Sequence, residues 1–397
     1  MRRPGERRRR GPAWAGRGVG DVPAEALPMT QFPRRTFLGA TAGALAASSL
    51  PSAFSANETI GVGLIGAGNR GSALLKALLQ VPGVEIRAIC DVDPAALERG
   101  IKAVEAAGRK RPVGSTDGSW KEILKADGVD AIVSAIPVDL HARCYLDAIA
   151  AGKDLYGEKP MCLTRADLDA VVKATRESKQ IVQIGHQRRA DPHFIEPIAA
   201  VHSGEIGELV EGRILWSNSW GPLYGWFGRR ERSGDWIVEQ AVHNWDVLNW
   251  AVGSAPVKAM ALGRDDLFRE HQPDRNVHDY YSGVIEYPGG VFVNIIHSWT
   301  APTKFNEEYT RLIGKTGGVD FNSGVFSYRP DQKKADRQLG GPVTDNTLLS
   351  VAAFANSVRT RSEPVCTVEH GRAAVLACLL VRASVDARAA VTMDQVS

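Results

Sequence analysis

The segment at 59–80 constrains the fold more strongly than any other part of this chain of 397 residues. An apolar run rich in β-formers at 59–65 leads directly into the sequence Gly-Ala-Gly-Asn-Arg-Gly at 66–71. A helix is predicted next, at 72–80, with four leucines on one side. A strand, a glycine turn and a helix in that order form the opening unit of a doubly wound, nucleotide-binding sheet.

Each glycine of this turn has a separate predicted task. Gly66 allows the tight bend, Gly68 lets the backbone approach a pyrophosphate, and Gly71 lets the helix pack closely on the strand. The peptide N–H groups of Asn69 and Arg70, at the start of the helix, would then face the phosphates together with the positive end of the helix dipole. We therefore predict a dinucleotide site at this turn.

An acid at the end of the second strand indicates which dinucleotide is bound. The strand predicted at Val84–Cys90 ends at Asp91, which follows Gly71 at the distance expected for an acid that binds the ribose hydroxyls. A carboxylate there repels a 2′-phosphate, so the prediction is NAD rather than NADP. The alternative is that Asp91 merely ends a strand, next to a helix cap at Asp93-Pro94.

Strands and helices continue to alternate as far as residue 185, which predicts a parallel, doubly wound Rossmann sheet in an α/β protein. Further on, a strand-like run at Leu209–Ser217 and a hairpin at 280–299 predict a second, α+β domain with a large, mostly antiparallel open sheet. The predicted domains are the nucleotide-binding domain at 57–185, a substrate and oligomerisation domain at 186–345, and closing helices at 346–397.

Charge and cysteine content exclude several classes of protein. The first 56 residues carry nine arginines and three acids, whereas the remainder has 39 basic against 42 acidic side chains. This mildly acidic body argues against nucleic acid as a partner. The five cysteines form no CxxC pair and no His/Cys cluster with zinc spacing, so we expect buried or free thiols and no metal. No apolar run reaches the length of about 18 residues that a stable membrane span needs.

Residues 1–56 are predicted to comprise an export signal and an over-extended N-terminus. Arg34-Arg35 precedes Thr36-Phe37-Leu38, an Ala/Leu-rich run and then small residues up to Ala56. This order resembles a twin-arginine signal, which predicts a periplasmic protein that is exported already folded. The chain reads as a normal signal peptide from Met29 onward, so Met29 and Met1 are both candidate starts.

Five motifs follow one another between Thr59 and Asp320. They are the glycine turn at 66–71, Ile136-Pro137 with His141, Glu158-Lys159-Pro160, the stretch Gly185-His186-Gln187-Arg188-Arg189-Ala190-Asp191-Pro192, and the run from Glu239 to Asp246. Together they resemble the motifs of the glucose–fructose oxidoreductase, inositol dehydrogenase and MocA (Gfo/Idh/MocA) family. The last is similar to that family's Asp-x-Gly-x-His-x-x-Asp motif, with Glu239 and Ala241 in place of the usual Asp and Gly.

The resemblance implies an NAD-dependent oxidoreductase that binds its cofactor through the glycine turn and Asp91. It also implies cofactor contacts from Pro137, His141, Glu158, Lys159 and Gln187. It makes Lys159 a catalytic residue that donates a proton or stabilises an alkoxide, whereas the local sequence alone describes a solvated lysine. Members of this family often pair their second sheets face to face, so a homo-oligomer is expected.

A helix predicted at Asp235–Trp250 supplies the other catalytic candidates. Glu239, His243 and Asp246 are spaced i, i+4 and i+7, so on a continuous helix they share one face. Histidine is the natural proton acceptor near neutral pH, and we expect Glu239 to be its partner and Asp246 to bind a hydroxyl or orient the ring. The alternative is a polar stripe that faces solvent.

Aromatic residues are concentrated in the same part of the chain. Six of the nine tryptophans lie between 216 and 250. Flat aromatic side chains beside Gly, Ser and Asn suit sugar rings, although a protein core or a dimer interface is equally consistent with them. The neighbouring Arg229, Arg230 and Arg232 either bind an anionic group or are solvated.

The predicted function is an exported, NAD-dependent oxidoreductase that acts on a secondary hydroxyl of a carbohydrate or cyclitol, with Lys159 and His243 in acid–base chemistry. Two alternatives stay open at this point. One is a glycoside hydrolase that retains NAD and cleaves by oxidation, elimination and reduction. The other is a non-catalytic, sugar-binding protein on the same fold.

Overall fold

Two sheets organise the chain in the computed structural model, which describes residues 59–222 and 225–397. The strands of the first sheet are β1 (Ile60–Ile65), β2 (Val84–Cys90), β3 (Val113–Ser115), β4 (Ala131–Ser134), β5 (Asp154–Gly157) and β6 (Val182–Ile184). They run parallel in the order β3-β2-β1-β4-β5-β6. All six residues of β1 are buried, as expected for a parallel strand with helices on both faces.

The second sheet follows the first in the chain. Its strands are β7 (Leu209–Ser217), β8 (Lys258–Arg264), β9 (Tyr280–Tyr287), β10 (Val291–Ser298), β11 (Glu307–Gly314), β12 (Gly317–Asp320), β13 (Val325–Tyr328), β14 (Arg337–Gln338) and β15 (Val391–Thr392). Their order is β14-β13-β12-β11-β7-β10-β9-β8-β15. Neighbours are antiparallel except β7 and β10, which are parallel, so the predicted fold class is confirmed.

Helices connect and cover these strands. They are α1 (Asn69–Leu78), α2 (Pro94–Ala106), α3 (Lys121–Lys125), α4 (His141–Ala150), α5 (Arg165–Arg176), α6 (Pro192–His202), α7 (Arg230–Ser233), α8 (Trp236–Glu239), α9 (Val242–Val252), α10 (Asn346–Thr360) and α11 (Val368–Ala387). Local sequence explains several starts. Asp93 caps α2 by accepting from the Ala95 N–H, and Thr164 caps α5 by accepting from the Asp167 N–H.

The single helix predicted at Asp235–Trp250 is wrong. The chain forms the one-turn helix α8, breaks at Gln240 and Ala241, and resumes as α9. The Gln240 amide oxygen lies 2.9 Å from Nε2 of His297 on β10, so a contact with a distant strand holds the break in place. No proline or glycine marks this position, and the local sequence therefore reads as a continuous helix.

The two C-terminal helices pack on different parts of the molecule. Val351 and Phe354 of α10 belong to the apolar core on one face of the first sheet, and Ser350 Oγ lies 3.2 Å from the Tyr156 hydroxyl. By contrast, α11 packs on α9 and β8. The five cysteines are all buried and unbridged, as predicted.

The export signal predicted at 1–56 lies outside the described residues, and the predicted domain boundaries stay predictions. In the two described ranges, none of the helices combines the length and hydrophobicity needed to cross a membrane.

Candidate active site

The glycine turn between β1 and α1 has the shape that a dinucleotide requires. Gly66 has a φ of +88°, and a Cβ on Gly71 would lie 1.9 Å from the Gly66 carbonyl oxygen, so both positions exclude larger residues. A Cβ on Gly68, in contrast, would meet no atom of the described chain within 4 Å. The space over Gly68 therefore fits a bound pyrophosphate, beside the N-terminus of α1.

Asp91 lies against this turn at the end of β2. One carboxylate oxygen accepts from the Ala67 N–H at 2.6 Å, and the other accepts from the Asp93 N–H at 2.8 Å. Asp91 is half-buried, so it also borders the space next to the turn. This placement is compatible with the predicted contact between Asp91 and the ribose. In the structure, the hydrogen bond from the Ala67 N–H shows that Asp91 holds the glycine turn.

Arg70 joins several of the predicted cofactor residues to one another. Its Nε donates to Glu158 at 2.7 Å, and Nη1 donates to Thr347 on α10 at 3.0 Å. The Gln187 amide, when it donates to Gly185, places its oxygen 2.5 Å from Nη2 of Arg70. Glu158 is 3% exposed and holds Arg70, while its predicted cofactor contact stays a prediction.

His141 was also predicted at the cofactor, and that contact stays a prediction. Its ring is buried, with Nδ1 at 2.7 Å from the Pro160 carbonyl oxygen and Nε2 at 2.9 Å from that of Ile136. The ring thus ties the segment after β5 to the segment after β4. Pro137 lies in the segment after β4 and is half-buried. Two residues before it, the carbonyl oxygen of Ala135 packs on Gly66.

Lys159 follows β5 and points to the second domain. Its Nζ donates to the carboxylate of Glu239 at 2.8 Å and to the Glu239 carbonyl oxygen at 2.7 Å. The two side chains are 14% and 13% exposed, so the ammonium group is held in a sheltered but open position. Glu239 is therefore the partner of Lys159, and the predicted pairing of Glu239 with His243 is wrong.

The break between α8 and α9 separates the three residues that were expected on one face. Glu239 ends α8 and its side chain bonds to Lys159, whereas Asp246 is a buried residue of α9. Both carboxylate oxygens of Asp246 lie within 3.0 Å of Arg189 Nε. Asp246 is 1% exposed, and its predicted role, to bind a substrate hydroxyl or orient the His243 ring, stays a prediction.

His243 lies among aromatic and cationic groups. Its ring is 6.5 Å from that of Trp216 on β7 and 5.9 Å from that of His186 after β6, measured between centroids. Burial and the charge of Lys159 hold the pKa of His243 well below its ordinary value. Arg188 adds further positive charge. His243 is consequently a neutral imidazole at neutral pH, which is the form that can accept a proton.

Two models of protein families match the chain on either side of this site. The model described as oxidoreductase family, NAD-binding Rossmann fold, matches residues 60–186, and the model described as GFO/IDH/MocA C-terminal domain matches residues 198–320. The chain belongs to the Gfo/Idh/MocA family. Its first domain is thus the NAD-binding domain of an oxidoreductase family, as predicted.

Several proteins of known name are similar to the chain over much of its length. Inositol 2-dehydrogenase of Rhizobium meliloti is 30% identical over 66% of this chain and 75% of its own. A glycosyl hydrolase family 109 protein of Shewanella pealeana is 26% identical over 66% of this chain, which spans only 63% of that relative. The structure of levoglucosan dehydrogenase with NADH and levoglucosan has a TM-score of 0.73, 17% identity, and covers 85% of this chain and all of its own.

Sequence reasoning missed three side chains at the Gfo/Idh/MocA site. Arg188 and His186 flank the Gln187 that was chosen, and Trp216 was counted only as one of many tryptophans. Arg188 donates to Glu308 at 2.6 Å and lies 5.9 Å from the Trp216 ring, beside His243. For His186 and Arg188 the available signal was their position after β6, because the strand ends of a doubly wound sheet line the ligand crevice. Trp216 lies on β7 of the second sheet, where this rule gives no signal.

The other candidates were placed as follows. Trp236 and Trp245 are core residues, Trp220 is exposed, and Trp216 alone of these four borders His243. The arginines at 229, 230 and 232 form ion pairs with Asp274, Asp386 and Asp139 respectively, so each has a carboxylate partner. Within the described part of the chain, no group of three His, Cys, Asp or Glu side chains could hold a metal ion.

Proposed function

We propose that the protein is an exported, NAD-dependent oxidoreductase that acts on a secondary hydroxyl of a sugar or cyclitol. The observation that carries this proposal is the pair formed by Lys159 and Glu239 next to a neutral His243, at the strand ends beside the glycine turn. Active sites in doubly wound folds lie at this edge of the sheet. Inositol 2-dehydrogenase and levoglucosan dehydrogenase, by name, act on a cyclitol and a sugar derivative.

The residues divide the reaction between them. The glycine turn and Asp91 would hold NAD, which would supply the hydride acceptor for oxidation of the carbon that bears the hydroxyl. His243 accepts the hydroxyl proton, since its pKa leaves it neutral at neutral pH. The Lys159 ammonium group donates a hydrogen bond to the oxygen on which negative charge develops. Glu239 keeps that ammonium group in place, and Trp216 offers an apolar face to a sugar ring.

The direct test is a panel of sugars and cyclitols offered to the purified protein with NAD, with NADH formation as the readout. We expect the wild type to oxidise at least one of these compounds. The variant His243→Gln should lose this activity. A protein that binds NAD but oxidises no member of the panel, and returns no carbonyl analogue to an alcohol with NADH, would reject the proposal.

A second candidate is a glycoside hydrolase that keeps its NAD. The similarity to a glycosyl hydrolase family 109 protein supports it, and the same base and lysine serve both reactions. Native mass spectrometry after extensive dialysis distinguishes the two, because a redox-neutral cycle needs no exchange of cofactor. Retained NAD together with cleavage of a glycoside, without net NADH formation, would favour this candidate.

Export is a separate part of the proposal. Its support is the sequence around Arg34-Arg35, which lies outside the described residues. Cell fractionation of the full chain should find the protein in the periplasm, and the variant with both arginines changed to lysine should stay in the cytoplasm. An unchanged distribution would reject export by this route.

We also propose that copies of the chain associate through the second sheet. Its outer face exposes Met260 and Leu262 on β8, Val284 on β9, and Phe292 and Ile296 on β10. Met260 pairs with Val284, while Leu262 and Ile296 both pair with Ser282, so apolar side chains of three strands lie close together on this face, beside the polar Ser282, Asn294 and Glu286. Patches of this kind on a soluble protein are typical of interfaces.

A further inference from the structure

The first turn of α1 begins without a side-chain cap. Its first residues are Asn69, Arg70 and Gly71, whose peptide N–H groups have no partner inside the helix. The next amide, that of Ser72, donates to the Gly68 carbonyl oxygen at 2.8 Å. Gly68 occupies the N-cap position and has no side chain that could accept from the open N–H groups. These donors suit a phosphate, but a helix end frays unless something holds it.

The side chain of Arg70 ties this turn to three other segments. Its Nε donates to Glu158 after β5 at 2.7 Å, and its Nη1 donates to Oγ1 of Thr347 in the first turn of α10 at 3.0 Å. Its Nη2 faces the amide of Gln187 after β6. A planar guanidinium group held at several edges cannot turn freely, so the helical turn that carries it is held as well.

The partners of Arg70 are themselves fixed in the fold. The Glu158 carboxylate also accepts from the Lys159 N–H at 3.2 Å, and the Glu158 carbonyl oxygen accepts from the Tyr145 hydroxyl at 2.7 Å. On α10, the carbonyl oxygen and Oγ of Ser350 lie 3.0 and 3.2 Å from Nε2 of Gln183 on β6. Arg70 therefore connects the glycine turn to well-packed parts of the molecule.

We propose that Arg70 is a positioning residue for NAD, which anchors the uncapped first turn of α1 and leaves the N–H groups of that turn free for the pyrophosphate. A side-chain cap would also hold the turn, but it would occupy donors that the phosphate needs. Thr347 is one of the anchors, so α10 contributes to NAD affinity through Arg70. This inference rests on the proposed function, which places NAD at the glycine turn.

The experiment measures the Kd for NAD by calorimetry on the full chain. Thr347→Val replaces the accepting hydroxyl by a methyl group and keeps Arg70 paired with Glu158. The Kd should rise about fivefold, because a hydrogen bond from a charged donor is lost. Arg70→Lys should raise it about tenfold or more, since an ammonium group can pair with Glu158 but lacks the fork that reaches the other anchors. In Arg70→Lys, the further change Thr347→Val should add less than about twofold.

Hydrogen exchange supplies a second readout, which needs neither NAD nor a substrate. The amide of Ser72 is the first that is bonded within α1, so it reports on fraying of the first turn. It should exchange faster in Thr347→Val than in the wild type. The amides of β2, which Arg70 does not hold, should exchange at the same rate in both.

Thr360→Val is the matched control on the same helix. Thr360 lies at the other end of α10, where its hydroxyl donates to the Asn356 carbonyl oxygen at 2.8 Å. That variant should leave both the Kd for NAD and the exchange of Ser72 unaltered. A Kd for NAD in Thr347→Val equal to that of the wild type would overturn the proposal, even if the melting temperature fell. A wild type that binds NAD but oxidises no sugar or cyclitol would reject the proposed function alone, since neither readout needs turnover.

Discussion

At the scale of single residues, the cations around His243 each have a carboxylate partner. Lys159 is bonded to Glu239, Arg70 to Glu158, and Arg188 to Glu308. These donors are held in place before a substrate arrives, which lowers the cost of ordering them during the reaction. Each pair joins residues far apart in the sequence, so motif spacing could nominate Lys159 and His243 but could not assign the partner of either.

The first prediction concerns Lys159. Replacing it with methionine keeps the length of the side chain and removes the ammonium group, so turnover should fall by about a hundredfold or more while NAD still binds. Steady-state kinetics and a fluorescence titration with NAD measure the two effects. Lys173→Met changes an exposed lysine of α5 and should leave both unaltered. Full turnover by Lys159→Met would refute the assignment.

At the scale of elements, strands were predicted better than the helix that bears the site. The bounds of β2 and β7 agree with the predicted ones, because runs of strand-forming residues end at turn residues. The helix at Asp235–Trp250 failed because its break depends on Gln240 meeting His297 across the fold. Local propensity contains no information about such a contact. Because the break was not predicted, Glu239 was placed on the same helix face as His243.

The glycine turn allows a prediction with an internal comparison. Gly71→Ala puts a Cβ at 1.9 Å from the Gly66 carbonyl oxygen, so α1 must shift and the protein should lose several kcal/mol of stability. Gly68→Ala meets no protein atom within 4 Å, so its melting temperature should stay close to that of the wild type. NAD affinity should nevertheless fall at least about tenfold in Gly68→Ala, because its methyl group occupies the space of the pyrophosphate. Equal NAD affinity in Gly68→Ala and wild type would place the cofactor elsewhere.

A buried ion pair at the start of α8 should make stability depend on pH. His278 Nδ1 lies 2.8 Å from Asp235, which caps this helix with a strained φ of +80°. Burial alone lowers the pKa of His278 and raises that of Asp235. Their hydrogen bond and mutual attraction outweigh this, so the pKa of His278 is raised above 6.5 and that of Asp235 is lowered below 3.8.

The sign of the effect follows from these two directions. The contribution of His278 is complete below pH 6.5 and declines as the pH rises through its raised folded value, whereas that of Asp235 is lost only in acid, below 3.8. His278→Gln should therefore cost about 2 kcal/mol near pH 5 and clearly less above neutral pH, as measured by urea unfolding. A loss of stability that is independent of pH would contradict the charged pair.

At the scale of the whole molecule, the two faces of the second sheet differ. The inner face buries Ile285, Val293 and Ile295 against helices, while the outer face exposes apolar side chains of β8, β9 and β10. Because side chains alternate between the two faces along each strand, one set is buried and the other is exposed. The surface that covers the outer face belongs to a second molecule. The periodicity of one chain does not predict which surface that is.

Association through that face is testable by substitution. The double variant Leu262→Arg and Ile296→Arg places two charges on the patch, so it should be monomeric in light scattering where the wild type is an oligomer. Val92→Arg is the control, since Val92 is an exposed apolar residue of the first domain and should leave the assembly intact. A wild-type monomer, or an oligomer that survives the double change, would exclude this interface.

Because α10 packs on the first domain, the core of that domain is completed only late in synthesis. Val351 and Phe354 complete the core against β1 and α1, which were synthesised almost 300 residues earlier. Until the ribosome has released α10, the nascent first domain carries an open apolar face. We therefore expect a chain that stops shortly before α10 to aggregate rather than to form a usable NAD-binding fragment.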